Sequence, residues 1–200
     1  QIAYSSSGKV MAFIAGGDIW VMDTLLKEPV QITNTPAWET DLVFTKDGKS
    51  LYYIGQIDGQ VDVLRAQRGD AKQPWWRNDT FEIDKVTDDD IVEESLSISP
   101  QGTYLTYSRS RDGLWILALK QEDAKPKKIV STWSGVTYDW APDDHWLVYS
   151  AADDNFNYDV FVLNVDEPKN VTNISRHPDN EMSPVWSKDG KTIAFIGRRI

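Results

Sequence analysis

Two histidines, no cysteine and an excess of carboxylates make up the chemical equipment of this 200-residue sequence. His145 and His177 have no serine in a recognisable nucleophile setting, and neither G-x-S-x-G nor H-E-x-x-H occurs. Absence of cysteine excludes disulfides and thiolate metal sites. The run Asp153-Asp154-Asn155-Phe156-Asn157-Tyr158-Asp159 offers oxygens of the kind calcium prefers, from Asp153, Asp154, Asn155, Asn157 and Asp159. It lacks the central glycine and distal glutamate of the helix-loop-helix calcium motif, and Asp and Asn are also ordinary turn residues. No set of residues assembles into a catalytic site, and no cofactor is called for.

The elements that carry these residues follow a repeat. Gly190 lies in Ser187-Lys188-Asp189-Gly190, between two runs that alternate apolar and polar residues, a strong hairpin signal. Gly8, Gly48, Gly102 and Asp144 occupy the same place upstream, at spacings of 40, 54, 42 and 46 residues. Asp144 is an allowed replacement where the turn needs a left-handed residue. Four residues before each turn position stand Tyr4, Phe44, Ile98, Trp140 and Trp186. Three after it come Met11, Leu51, Leu105, Leu147 and Ile193, and five after it Phe13, Tyr53, Tyr107, Tyr149 and Phe195. The last two sets share a strand face, so the pattern predicts one buried face per repeat.

A third strand follows each of the first four hairpins, as in Asp18-Ile19-Trp20-Val21 and Asp159-Val160-Phe161-Val162. A fourth ends in Ile32-Thr33, Val86-Thr87, Ile129-Val130 and Ile174-Ser175. A period near 40–50 residues built of four short strands predicts an all-β fold, a β-propeller of four-stranded blades. The blades are expected at residues 1–36, 37–87, 88–131 and 132–175, with the first hairpin of a fifth at 176–200. All belong to one propeller domain on this reading, and an incomplete ring suggests a piece of a longer protein.

A net charge of −10 and a pI near 4.6 exclude nucleic-acid binding through clustered Lys and Arg. No stretch approaches the ~20 apolar residues of a membrane span, so no membrane insertion is expected.

Nine residues before the turn position stand Glu39, Glu93 and Glu181, with Gly135 in the remaining complete unit. Each lies between the fourth strand of one blade and the first strand of the next. First strands line a propeller's channel, so these glutamates are expected at one mouth of it, with Trp38 and His177 nearby. They form either an acidic collar for cations, basic groups or a peptide amino terminus, or structural acceptors for backbone N–H groups. Trp75 and Trp76, in the longest loop, are either a recognition platform or a cap on the blade.

Ser187-Lys188-Asp189-Gly190-Lys191 with Ile193-Ala194-Phe195, and the degraded copies Ser99-Pro100-Gln101-Gly102 and Ala141-Pro142-Asp143-Asp144, resemble the TolB-type repeat. The runs 81–94 and 173–199, with His177-Pro178-Asp179-Asn180-Glu181 and Gly197-Arg198-Arg199, look most similar to propellers of bacterial tricorn-protease-like proteins. That resemblance implies a non-catalytic module gating peptides for a serine protease, whose peptidase domain would follow in the same chain. It implies a peptide or protein partner, a homo-oligomer, and a periplasmic or extracellular place in a bacterium, with the cytoplasm as alternative. Two other parents carry such propellers: a TolB-like protein-binding protein of the cell envelope, and a prolyl-oligopeptidase-type enzyme. None of the catalytic residues of the tricorn-like family has a counterpart here.

Overall fold

The computed structural model of the chain describes residues 1–57, 59–121 and 123–197. β1 (Ile2–Tyr4), β2 (Val10–Ala15), β3 (Asp18–Asp23) and β4 (Pro29–Gln31) form the first sheet. β5 (Thr40–Phe44), β6 (Ser50–Ile57), β7 (Gln60–Arg68) and β8 (Phe81–Lys85) form the second. The third holds β9 (Glu93–Ile98), β10 (Tyr104–Arg109), β11 (Gly113–Ala118) and β12 (Lys127–Ser131). The fourth holds β13 (Thr137–Trp140), β14 (Trp146–Ala152), β15 (Tyr158–Asn164) and β16 (Val171–Asn173), and β17 (Glu181–Trp186) pairs with β18 (Ile193–Gly197). Hydrogen-bonded order follows chain order in every sheet. The chain divides into two compact units, Gln1–Ile98 and Ser99–Ile200. No helix of the described residues is long and apolar enough to cross a membrane.

The repeated turn is built the same way each time. The N–H groups of Gly8, Gly48, Gly102, Asp144 and Gly190 donate to the carbonyl three residues earlier at 2.8–3.3 Å. All five residues have φ between 64° and 72°, glycine's region, which Asp tolerates. A hydroxyl closes the turn: Ser5, Thr45, Ser99 and Ser187 accept the N–H of Val10, Ser50, Tyr104 and Thr192 at 3.0–3.2 Å. A second clasp joins the third and fourth strands. The Thr33, Thr87 and Ser175 hydroxyls accept the N–H of Ile19, Val63 and Val160, and the latter two donate to Asp62 and Asp159.

Within each unit, sheets pack face to face. In the first unit, Val10, Ala12 and Val21 share a core with Leu42, Phe44, Leu51 and Tyr53. In the second, Leu114 and Ile116 meet Trp140, Leu147, Tyr149 and Leu163. In the second and fourth sheets the repeat's large residues are thus the face laid on the sheet before, each worth roughly 1.5–3 kcal/mol when fully buried. The first and fifth sheets depart from the sequence expectation. The first buries its opposite face, Val10, Ala12, Ile19 and Val21, and leaves Tyr4 59% exposed. In the fifth, Phe195 remains 40% exposed. Burial needs a second layer, and period-2 patterning alone does not supply one.

Candidate functional site

The three repeated glutamates do not stand in solvent: Glu39, Glu93 and Glu181 are 3%, 2% and 2% exposed. Two residues after each, Asp41, Ser95 and Ser183 adopt φ of 54°, 57° and 54°. Strand pairing slips at that point in β5 and β17. Such a bulge re-aims neighbouring side chains. The repeat with Gly135 in place of the glutamate pairs regularly from Thr137 onward.

In two of the three repeats the glutamate lies over a glycine. A Cβ on Gly55 would lie 3.3 Å from Glu39 Cγ, and one on Gly197 would lie 3.5 Å from Glu181 Oε1. Glu181 and Gly197 are direct cross-strand partners. Glu39 Oε1 accepts the Thr35 hydroxyl at 3.0 Å. Its Oε2 is buried without a hydrogen-bond partner among the described residues. Burial raises the Glu39 pKa above the ordinary glutamate value; the Thr35 hydrogen bond opposes this and the nearby Asp18 charge adds to it. Glu181 Oε1 lies 3.5 Å from His177 Nδ1. All three carboxylates are buried, and at Glu39 and Glu181 a bulge accompanies the burial.

The same bulges tie one sheet to the next. The N–H of Asp41 donates to Gln1 Oε1, that of Ser95 to Asp41 Oδ2 at 3.1 Å, and that of Ser183 to Thr137 Oγ1 at 3.2 Å. Gln1, Asp41, Ser95, Thr137 and Ser183 occupy one repeat position, seven before the turn, and all carry hydrogen-bonding side chains. That polar column was the sequence signal for this link.

Trp38 is 71% exposed. His177 Nδ1 accepts the Asp179 N–H at 3.2 Å, and the His177 carbonyl accepts Asn157 Nδ2 at 2.8 Å. Asn180 Oδ1 accepts the Tyr158 N–H at 2.8 Å. These bonds join the loop before β17 to the loop between β14 and β15. Together they line an open cleft of about 560 Å³, with Asp153, Asn157, Asp159, Arg176, His177 and Asn180 among its walls.

Both nominated loops thus meet. Asp153 Oδ1 accepts the N–H of Asn155 at 2.8 Å and of Asn157 at 3.0 Å, closing a turn. Asp159 is occupied by Asn173 Nδ2 at 2.6 Å and the Ser175 hydroxyl at 3.0 Å. Asp154 and Asn155 are exposed. Among the described residues, no group of three or more His, Cys, Asp or Glu could hold a metal ion. The loop is an Asp-capped turn in which Asp153 and Asp159 accept hydrogen bonds from protein donors.

Trp75 belongs to the core. It is 2% exposed, packs edge-on against Phe44 at 5.5 Å and stacked on Phe81 at 5.9 Å. Its Nε1 donates to the Gly48 carbonyl at 2.8 Å. Trp76 packs against the same cluster, half-buried. An exposed aromatic pair lies elsewhere: Trp133 and Phe156, 46% and 73% exposed, meet edge-to-face at 5.0 Å. His145 pairs with Asp166 at 2.9 Å on the exposed end of a hairpin. Arg198 and Arg199 lie outside the described residues.

No family model and no curated protein matches the sequence. Solved structures do. TolB from Acinetobacter baumannii superposes with a TM-score of 0.66 at 14% identity, over 96% of this chain and 47% of that one. Hydrazine synthase from Kuenenia stuttgartiensis gives 0.69 at 15%, over 98% of this chain and 54% of that one. The tricorn protease gives 0.67 at 10%, over 98% of this chain and 20% of that one. The chain thus spans about half the length of the TolB structure. Proteins as different as these share architecture, and a fold hosts many functions. In fold, this all-β chain of four-stranded antiparallel sheets resembles the TolB-type β-propeller and its counterpart in the tricorn protease.

Proposed function

We propose that the chain is a non-catalytic propeller module that binds peptides or proteins, and that its ligand is taken at the loop end holding the 560 Å³ cleft. The cleft carries this reading. It joins two loops that the sequence nominated separately, and it is rimmed by both charged groups and an exposed aromatic, Phe156. Exposed aromatic side chains on loops over a rigid sheet scaffold are the usual equipment of recognition. A net charge of −10 favours basic segments in the ligand.

The resemblance supports a narrower form, in which the module screens peptides for a tricorn-like serine protease in the periplasm or outside the cell. TolB-like binding in the cell envelope is the second form, supported by the equally good superposition on TolB. Size-exclusion of the chain with a tryptic digest of casein, followed by mass spectrometry of co-eluting peptides, tests the shared core of both. Retained peptides, enriched in Lys and Arg and displaced by salt, are the expected result. No peptide retained at millimolar concentration overturns it.

A further inference from the structure

The turn from Asp153 to Asn157 holds Phe156 in an unusual way. Phe156 has φ of 64°, a region that bulky residues rarely enter, and yet it is 73% exposed. Its N–H donates to the Asp153 carbonyl at 3.1 Å, which keeps the turn closed. Nothing in the packing of the core asks for an aromatic there, and a glycine or asparagine would suit the backbone better. The residue that meets it is fixed independently. Trp133 lies between Thr132 and Ser134, whose hydroxyls are 3.1 Å apart, and Ser134 Oγ accepts the Ala152 N–H at 2.9 Å. The two rings meet in a 68° edge-to-face arrangement at an open corner.

Carboxylates flank that corner. Asp153 lines the adjoining cleft and Asp154 beside it is exposed. The Asn157 N–H, then that of Asn155, lowers the Asp153 pKa, so the group stays ionised through the neutral range. Arg176, which also lines the cleft, directs its Nε to the Asn173 carbonyl at 3.2 Å. Aromatic faces attract cations through the ring quadrupole, and nearby carboxylates add to the pull.

We infer that Trp133 and Phe156 form a half-cage that, with Asp153 and Asp154, receives a lysine or arginine side chain of an extended peptide segment. This deepens the peptide-binding reading and rests on it. The corner supplies selectivity for a cationic side chain, and the neighbouring cleft supplies polar partners for the peptide main chain.

Fluorescence anisotropy with a labelled heptapeptide of alternating lysine and glycine, and with its glutamate counterpart, tests the assignment. The lysine peptide is expected to bind and the glutamate peptide not. Trp133→Ala or Phe156→Gly should weaken binding roughly three- to thirtyfold, the range of single cation–π contacts. Asp153→Asn combined with Asp154→Asn should weaken it further and flatten its salt dependence. Phe156→Gly relieves the positive φ, so its thermal midpoint should not fall, which separates lost binding from lost fold. Equal binding of the lysine peptide by wild type and both aromatic variants overturns the half-cage. So does failure of the lysine peptide to bind while casein peptides are retained, and the wider reading then survives. If no peptide of any composition is retained, that reading fails as well.

Discussion

Asp144 Oδ2 accepts the Ser99 hydroxyl at 2.6 Å. These two residues belong to the hairpin turns of successive sheets, and the bond exists because Asp144 replaces the turn glycine. The same carboxylate accepts the N–H of Gln101 at 2.8 Å and of Thr103 at 3.1 Å. Asp144 is 3% exposed, so these donors have little water to compete with them. Asp144→Gly would restore the consensus residue at φ 64°, yet it should destabilise the chain by about 1–3 kcal/mol in urea unfolding. An unchanged or higher midpoint would show that the turn, and not the inter-sheet bonds, governs this position.

The same residue predicts a pH dependence. Burial alone would raise its pKa, but the hydrogen bonds from Ser99, Gln101 and Thr103 bring it below the ordinary aspartate value. A lowered folded-state pKa contributes stability that is fully present above the unfolded value, near 3.9, and is lost as pH falls through the folded value. Asp144→Asn should therefore be less stable than wild type at neutral pH, with the gap narrowing in acid below about pH 4. A gap that is constant across that range would refute the assignment.

Glu39 predicts the opposite sign. Its folded pKa is raised, mainly by burial, so the charged form is disfavoured in the folded chain. Its favourable contribution is largest below the unfolded pKa and is lost as pH rises through the folded one. Glu39→Gln keeps an acceptor for the Thr35 hydroxyl and removes the buried charge. It should raise stability at neutral pH by up to about 1 kcal/mol, with the gain vanishing in acid. Loss of stability at neutral pH would mean that the carboxylate has a charged partner.

Gly113 has φ of 120°, and a Cβ there would stand 2.0 Å from the Val130 carbonyl oxygen. Gly113→Ala must part β11 from β12 where Leu114 and Val130 pair. A loss above about 3 kcal/mol, or insoluble expression, is expected. A soluble variant with a wild-type midpoint would contradict the close approach.

Trp75→Ala should cost about 3–5 kcal/mol, since it empties the space between Phe44 and Phe81 and orphans the Gly48 carbonyl. Trp76→Ala should cost less, because that ring is half-buried. Comparable losses of peptide retention with no loss of stability would instead make the pair a recognition platform.

What the sequence determined by itself is the repeat. The turn positions, the apolar residues around them and the Asp and Thr or Ser that bracket the outer strands are local patterns, and local hydrogen bonding enforces them. The glutamates, too, recur visibly at one position in three repeats. Where they point was decided by tertiary structure. A left-handed residue two positions on, Asp41 or Ser183, accompanies the placing of Glu39 over Gly55 and of Glu181 over Gly197. Equally, Trp75 and Phe156 read alike as loop aromatics, but one fills the gap between rings and the other stands in solvent. Burial of a loop side chain depends on which distant surface meets it, and the residue's own neighbours in sequence carry no record of that contact.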